Sequence, residues 1–233
     1  MNGELVQLRA GRKPTRAPDT PGRLVLTLAV AGFLSGLAIV GAYEITRPLI
    51  AANQQAALRR AVFEVVPGAE RLQRLVWRDG ELVAEPATQG ADADDPEVYG
   101  GYGDDGTFLG YAIPAEGAGY QDTIQLIYGF VPARSRVVGM QVLESRETPG
   151  LGDRIYKDQG FVGAFRDLAV EPRVELVKEA ATADNEVAGI TGATISSQAV
   201  VRIINQANEL WRPRLPEEAP PLREPAGGAE EER

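Results

Sequence analysis

The chain has 233 residues and a net charge of −9, with 44% hydrophobic and 6% aromatic residues and neither cysteine nor histidine. The missing Cys and His exclude disulfides, thiolate nucleophiles, Cys- or His-based zinc, iron–sulfur and haem sites, and Ser-His-Asp or Cys-His catalysis. The acidic balance argues against a nucleic-acid partner, which needs clustered Lys and Arg, and the length left after a membrane segment and a polar tail suits one compact domain.

Residues 24–43 read LVLTLAVAGFLSGLAIVGAY, twenty residues without a charge. That is about the length of helix a bilayer core requires. Residues 1–23 carry five positive charges (Arg9, Arg12, Lys13, Arg16, Arg23) and two acids (Glu4, Asp19). By the positive-inside rule this N-terminal tail is cytoplasmic and the rest of the chain lies outside the inner membrane. A cleaved signal peptide would have a shorter apolar run followed by a small-x-small site, so an anchor is the expectation. Gly32 and Gly36 form a GxxxG pattern that allows close helix approach, or are incidental small residues.

After the anchor, residues 50–66 have helical apolar spacing that stops at Pro67-Gly68, so residues 44–68 are expected to form a helical stalk. Residues 72–77 and 81–84 read as strands of a hairpin turning at Asp79-Gly80. The Asp- and Gly-rich run 91–106 lacks EF-hand spacing and reads as a solvated loop. Residues 107–113, 123–131 and 136–143 read as strands, the last two joined through Pro132-Ala133-Arg134-Ser135. Residues 161–168 suggest a helix and 174–177 a short strand. Residues 197–211 have helical spacing at Val200, Val201, Ile204, Ala207, Leu210 and Trp211. From 213 the chain holds five prolines, two glycines, six glutamates and three arginines. A tail of that composition, 213–233, is expected to be disordered. The elements make an α+β fold: a mixed or antiparallel sheet with packed helices, spanning 69–212, preceded by one transmembrane helix and a stalk.

Two stretches carry chemistry. Thr191-Gly192-Ala193-Thr194 stands directly before the last helix. Gly192 permits a tight turn, Ser196 or Ser197 is a candidate cap, and a helix N-terminus offers free N–H groups to a phosphate. The same residues also describe an ordinary turn and cap. The second stretch is Glu147-Thr148-Pro149-Gly150-Leu151-Gly152, after a strand. Pro149-Gly150 favours a turn with the glycine at positive φ. Glycine there lets backbone approach a flat ring, which Leu151 could cover; a plain strand-to-helix loop is the alternative.

Thr191-Gly192-Ala193-Thr194 resembles the S/T-G-A-T flavinylation motif of bacterial FMN-binding electron-transport subunits. The resemblance is to the G subunit of the Rnf ion-translocating oxidoreductase, with the C subunit of the sodium-translocating NADH:quinone reductase as a relative. Val65-Val66-Pro67-Gly68, Gly119-Tyr120 and the Glu147–Gly152 block recur in family order, so the likeness runs from the membrane helix to Trp211. It implies an electron-carrying subunit of a translocase, not catalytic alone, with FMN joined by a phosphoester to Thr194 and installed by a separate flavin transferase. It implies cofactor contacts from Thr191, Gly192, Ala193, Ser196, Glu147, Thr148, Gly150 and Leu151, and no metal. It implies multi-span membrane and iron–sulfur subunits as partners. Two positions depart from the family pattern. Ala188 stands where an Asp is common, with Asp184 and Glu186 as nearby acids, and Ser145 lies near a position often held by His. A stand-alone anchored flavoprotein, or a non-redox envelope scaffold that has lost flavin, are the other readings.

Overall fold

The structure, a computed structural model, describes residues 21–85 and 96–222. They fall into two units dividing between Ala52 and Asn53.

The first unit is the start of helix α1, Pro21–Val65. An 18-residue window in α1 is apolar enough to cross a membrane, and none of it is buried by protein. Leu24, Leu28, Phe33, Leu37, Ile39 and Val40 are each more than half exposed. Contiguous apolar surface on this scale marks an interaction with lipid or protein, and the length suits a bilayer.

The second unit is built on seven strands: β1 Arg71–Arg78, β2 Glu81–Glu85, β3 Glu97–Tyr102, β4 Phe108–Ala118, β5 Thr123–Val131, β6 Arg136–Ser145 and β7 Leu168–Ala169. Their order is β2-β1-β3-β4-β5-β6-β7, and every neighbouring pair is antiparallel. The β1–β2 hairpin turns at Asp79 and Gly80, with φ of 53° and 90°, as a two-residue Asp-Gly turn requires. Beyond β6 come two short helices, α2 Arg154–Lys157 and α3 Gln159–Gly163. Then β8 Glu175–Val177 and β9 Glu186–Ala188 pair in parallel as a separate two-stranded sheet. Helix α4, Thr194–Trp211, closes the unit.

The alternation of side chains along β5 sends Ile124, Leu126, Tyr128 and Phe130 to one face. There they meet Val200, Ile203 and Ile204 of α4, with Ile155, Phe161 and Phe165. Ile127, from the opposite face, packs with Ala112, Tyr99 and the last turns of α1 through Ala61, Val62 and Val65. That approach is close. Gly129 of β5 is paired with Gly139 of β6, and a Cβ on Gly129 would stand 1.9 Å from the Val65 carbonyl oxygen. Side chains at this crossing would push the helix off the sheet.

Four expectations are revised. The run 91–106 is not all loop, because 97–102 is the inner strand β3. Its glycines have poor strand propensity, but Gly101 lies under Val66, where a Cβ would come within 2.9 Å of that side chain. Residues 91–95 fall outside the described residues. The helix expected at 161–168 ends at Gly163, and the chain reverses at Asp167 (φ 65°) before entering β7. Asp158 caps the start of that helix by accepting from the amides of Gly160 and Phe161. Leu210, counted on the buried face of α4, is exposed, and Ile203 takes its place in the core. The tail is not disordered from residue 213. Tyr102 and Tyr111 donate to the carbonyls of Pro220 and Pro216, at 2.6 and 3.2 Å, and Leu215 is buried. Residues 1–20 and 223–233 fall outside the described residues.

Candidate functional site

Three segments distant in sequence meet at the N-terminus of α4: the 119–122 loop between β4 and β5, the 147–152 turn after β6, and the Thr191–Thr194 loop. Thr194 is the first residue of α4, and it is exposed, as are Thr191 and Gly192. Ala193 is the N-cap residue and makes no side-chain cap. The amides of Thr194, Ile195 and Ser196 thus have neither an intrahelical acceptor nor a side-chain cap from Ala193. This end of the helix carries the positive end of its dipole.

The expected cap residues have other tasks. Ser197 is fully buried; its Oγ donates to the Ala193 carbonyl at 2.9 Å and accepts from the Ile190 amide at 3.3 Å. Those bonds fasten the loop to the helix that follows it. Ser196 is also buried, and its Oγ donates to Glu147 Oε2 at 2.5 Å. Ser196 and Ser197 both fall on the buried face of α4, where Ser196 meets a distant acceptor and Ser197 a carbonyl of the preceding loop.

Glu147 is 5% exposed. Its Oε1 accepts from the amides of Tyr120 and Gln121 at 2.9 and 3.0 Å. Burial works to raise its pKa, but the hydrogen bonds from Ser196 and from the amides of Gln121, Tyr120 and Asp122 prevail and hold it below the ordinary carboxylate range. Two glycines wrap this carboxylate: a Cβ on Gly119 would lie 2.3 Å from Oε1, and one on Gly152 would lie 2.6 Å from Oε2. Gly152, read from sequence as part of a ring-facing surface, thus faces inward. Thr148 donates to Gln121 Oε1 at 2.9 Å, a second tie between the same two loops.

The outer surface of the turn is open. Gly150 has φ 79°, as the Pro-Gly pair predicts, with nothing within 4 Å of a built Cβ. Gly192 has φ 85°, and Leu151 is its nearest neighbour, 3.7 Å from a built Cβ. Leu151, Ile195 and Tyr120 expose more than half of their surfaces here. Asp153 is buried; it accepts from Lys157 at 2.5 Å and from the Gly150 amide at 2.8 Å, which keep its pKa low. Arg154 donates to the Thr191 carbonyl at 2.8 Å and to Asp158 at 3.2 Å.

The fold therefore brings the residues expected from sequence together, but in two layers. Thr191, Gly192, Thr194, Gly150 and Leu151 lie on the outside, with Thr148 partly exposed. Glu147, Ser196 and Ala193 lie beneath. Gln121, Asp153, Arg154 and Ile195 join the site without having been expected there. Glu147, Ser196 and Ala193 were expected as members of the site, but nothing in the sequence marks them as its buried layer. Ala188 is exposed on β9. The acids near it are engaged elsewhere: Asp184 with Arg136, at 2.8 Å, and Glu186 with Thr182 and Ala183. A groove of about 730 Å³ lies apart from this site, between the end of α1, β6 and α3, lined among others by Glu64, Met140, Tyr156 and Arg166.

The FMN-binding domain family matches residues 119–209, which contain all three segments of the site. The chain is 32% identical over 190 residues to the G subunit of the ion-translocating oxidoreductase complex of Methanosarcina acetivorans, spanning 79% of this chain and 91% of that one. The chain belongs to the G-subunit family of ion-translocating oxidoreductase complexes. Another member of this family, from Aliivibrio fischeri, is 30% identical, covering 78% of this chain and 86% of the relative. The G subunit of the proton-translocating ferredoxin:NAD(+) oxidoreductase complex of Clostridium ljungdahlii is 28% identical over 183 residues, 78% of this chain and 86% of that one. The fold is shared with Shewanella oneidensis NqrC, at a TM-score of 0.54 and 18% identity, over 66% of this chain and 91% of that one. It is likewise shared with the C subunit of the Na(+)-translocating NADH-quinone reductase of Parabacteroides distasonis, at a TM-score of 0.52 and 21% identity, over 67% and 91%.

Proposed function

We propose that this chain is the membrane-anchored flavin carrier of an Rnf-type ion-translocating complex, with FMN esterified through its phosphate to Thr194. The observation that carries the reading is the position of Thr194. It is an exposed hydroxyl at the N-terminus of α4, where the first-turn amides lack a side-chain cap. A phosphate ester at that point is stabilised by those amides and by the helix dipole. The site also suits the rest of such a group. Gly150 and Gly192 leave room for close approach, and Leu151, Ile195 and Tyr120 offer an apolar surface to a planar ring.

When bound, the flavin supplies one-electron transfers that the side chains of this chain cannot perform. The chain's own residues attach it, hold the turn that faces it and keep it at the protein surface, where other subunits can exchange electrons with it. Family membership supports partners among the membrane and iron–sulfur subunits of the complex. The basic flank before residue 24 supports a cytoplasmic N-terminus and a flavin domain outside the membrane. A free phosphate monoester does not condense with a hydroxyl unaided. Attachment therefore calls for a flavin transferase and an activated donor, such as a flavin dinucleotide with its phosphoanhydride.

The test is coexpression with a flavin transferase, followed by denaturation and separation from small molecules. The wild-type polypeptide is expected to retain flavin absorbance, and Thr194→Val to lose it. Flavin that washes off the wild type on denaturation, or equal retention by the variant, would overturn the proposal.

A further inference from the structure

Beneath the exposed hydroxyl of Thr194 lies a buried carboxylate that joins all three segments of the site. We propose that Glu147 is a positioning residue for flavin attachment, tying the first turn of α4 to the 119–122 loop and the 147–152 turn and so fixing the direction of the Thr194 hydroxyl. This rests on the reading of Thr194 as the attachment point.

The geometry is specific. Thr194 and Ser196 are two residues apart at the start of α4, so their side chains point about 200° apart around the helix axis. Pinning Ser196 inward turns Thr194 outward. Glu147 Oε2 does the pinning, at 2.5 Å from Ser196 Oγ, while Oε1 holds the amides of Tyr120 and Gln121. A buried carboxylate is costly unless its lone pairs are filled. Here the Ser196 hydroxyl and the loop amides that include those of Tyr120 and Gln121 fill them, and no ion pair to Glu147 is found among the described residues. Gly119 and Gly152 close around the group too tightly for any side chain of their own, which restricts its movement. Ser197, bonded to both Ile190 and Ala193, prevents the loop before Thr194 from swinging independently of the helix.

The reaction served is a phosphoryl substitution. Thr194 Oγ gives its proton to a base of the transferase and forms a bond to the flavin phosphate of a flavin dinucleotide. The phosphoanhydride P–O bond breaks, and a nucleoside monophosphate leaves with the bonding electron pair. Nothing is oxidised or reduced. Orientation of the attacking oxygen affects the turnover of this step more than the encounter with the transferase.

The experiment measures initial rates of covalent flavin incorporation into the purified flavin-free protein, with a flavin transferase and flavin dinucleotide, as the acceptor concentration is varied. The variants are Ser196→Ala and Glu147→Gln. The glutamine keeps the shape of the side chain, so the test does not depend on one variant folding. Each is expected to lower kcat about tenfold, the effect of losing one hydrogen bond to a charged group, with KM for the acceptor unchanged. Amide exchange at Ser197, the first amide of α4 with a helical acceptor (the Ala193 carbonyl, at 2.9 Å), is expected to accelerate while the later turns of α4 stay protected. A purely structural role would lower the rate only in proportion to the folded fraction. Wild-type kcat in both variants, with unchanged amide exchange at Ser197, overturns the positioning role and leaves the attachment point standing. A wild type that incorporates no flavin overturns both.

Discussion

Two hydroxyls two residues apart, Thr194 and Ser196, have opposite fates: one faces solvent and the other a buried carboxylate. The family resemblance singled out Thr194 in the sequence, where its residues alone read equally as an ordinary turn and cap. Ser196 and Glu147 were legible as members of the site but not in their roles. Which polar side chain turns inward depends on where the 119–122 loop places its amides, and that is a tertiary fact. The buried carboxylate has a consequence for pH. Its folded pKa lies below the ordinary value of 4.5. Its contribution to stability is therefore fully present above the unfolded pKa and is lost as the pH falls through the lower folded value. Urea unfolding from pH 7 down to pH 3 is expected to show a smaller loss of midpoint in Glu147→Gln than in the wild type. Parallel curves would show that Glu147 is not held ionised by its neighbours.

At the level of elements, the sheet was legible, as mixed or antiparallel, because β5 and β6 alternate and the Asp-Gly hairpin announces its own turn. β3 was hidden because Gly100 and Gly101 look like loop residues. They are needed where Tyr102, and Val66 and Ala69 just beyond α1, crowd the strand. The seam under α1 gives a sharp prediction. Gly129→Ala places a methyl against the Val65 carbonyl and is expected to destabilise the domain by about 2 kcal/mol or more in chemical denaturation, the overpacking range. A change within about 0.5 kcal/mol, typical of an uncrowded surface site, would mean that the helix end is free to move. On the other face, Tyr128 donates to Asn208 Oδ1 at 2.9 Å in the core. Asn208 Nδ2 has no partner among the described residues. Tyr128→Phe leaves Oδ1 unpaired as well, with an expected loss of about 1–3 kcal/mol.

For the whole molecule, the absence of cysteine makes topology directly measurable, because any introduced thiol is the only one. Lys178→Cys, on an exposed segment after β8, is expected to react with a membrane-impermeant maleimide in spheroplasts. Thr15→Cys is expected to react only after lysis. The reverse pattern would contradict an extracytoplasmic flavin domain. The extent of the domain was only partly legible. Composition alone assigned everything from 213 to a disordered tail, yet Leu215 and the carbonyls of Pro216 and Pro220 pack against the sheet. Proline-rich chain lacks backbone donors, but its carbonyls remain good acceptors for buried tyrosine hydroxyls. Such pairing depends on where Tyr102 and Tyr111 stand in the fold and leaves no local pattern.

The proposed flavin carriage rests on one bond, from Thr194 Oγ to the phosphorus of FMN. Tryptic digestion isolates residues 179–202, which contain Thr182, Thr191, Thr194, Ser196 and Ser197. Mass spectrometry with fragmentation of that peptide, from protein matured with a flavin transferase, measures the bond directly. The expected result is the added mass of FMN less water, placed by the fragments on Thr194. An unmodified peptide, or the same mass on Thr191 or either serine, would contradict it.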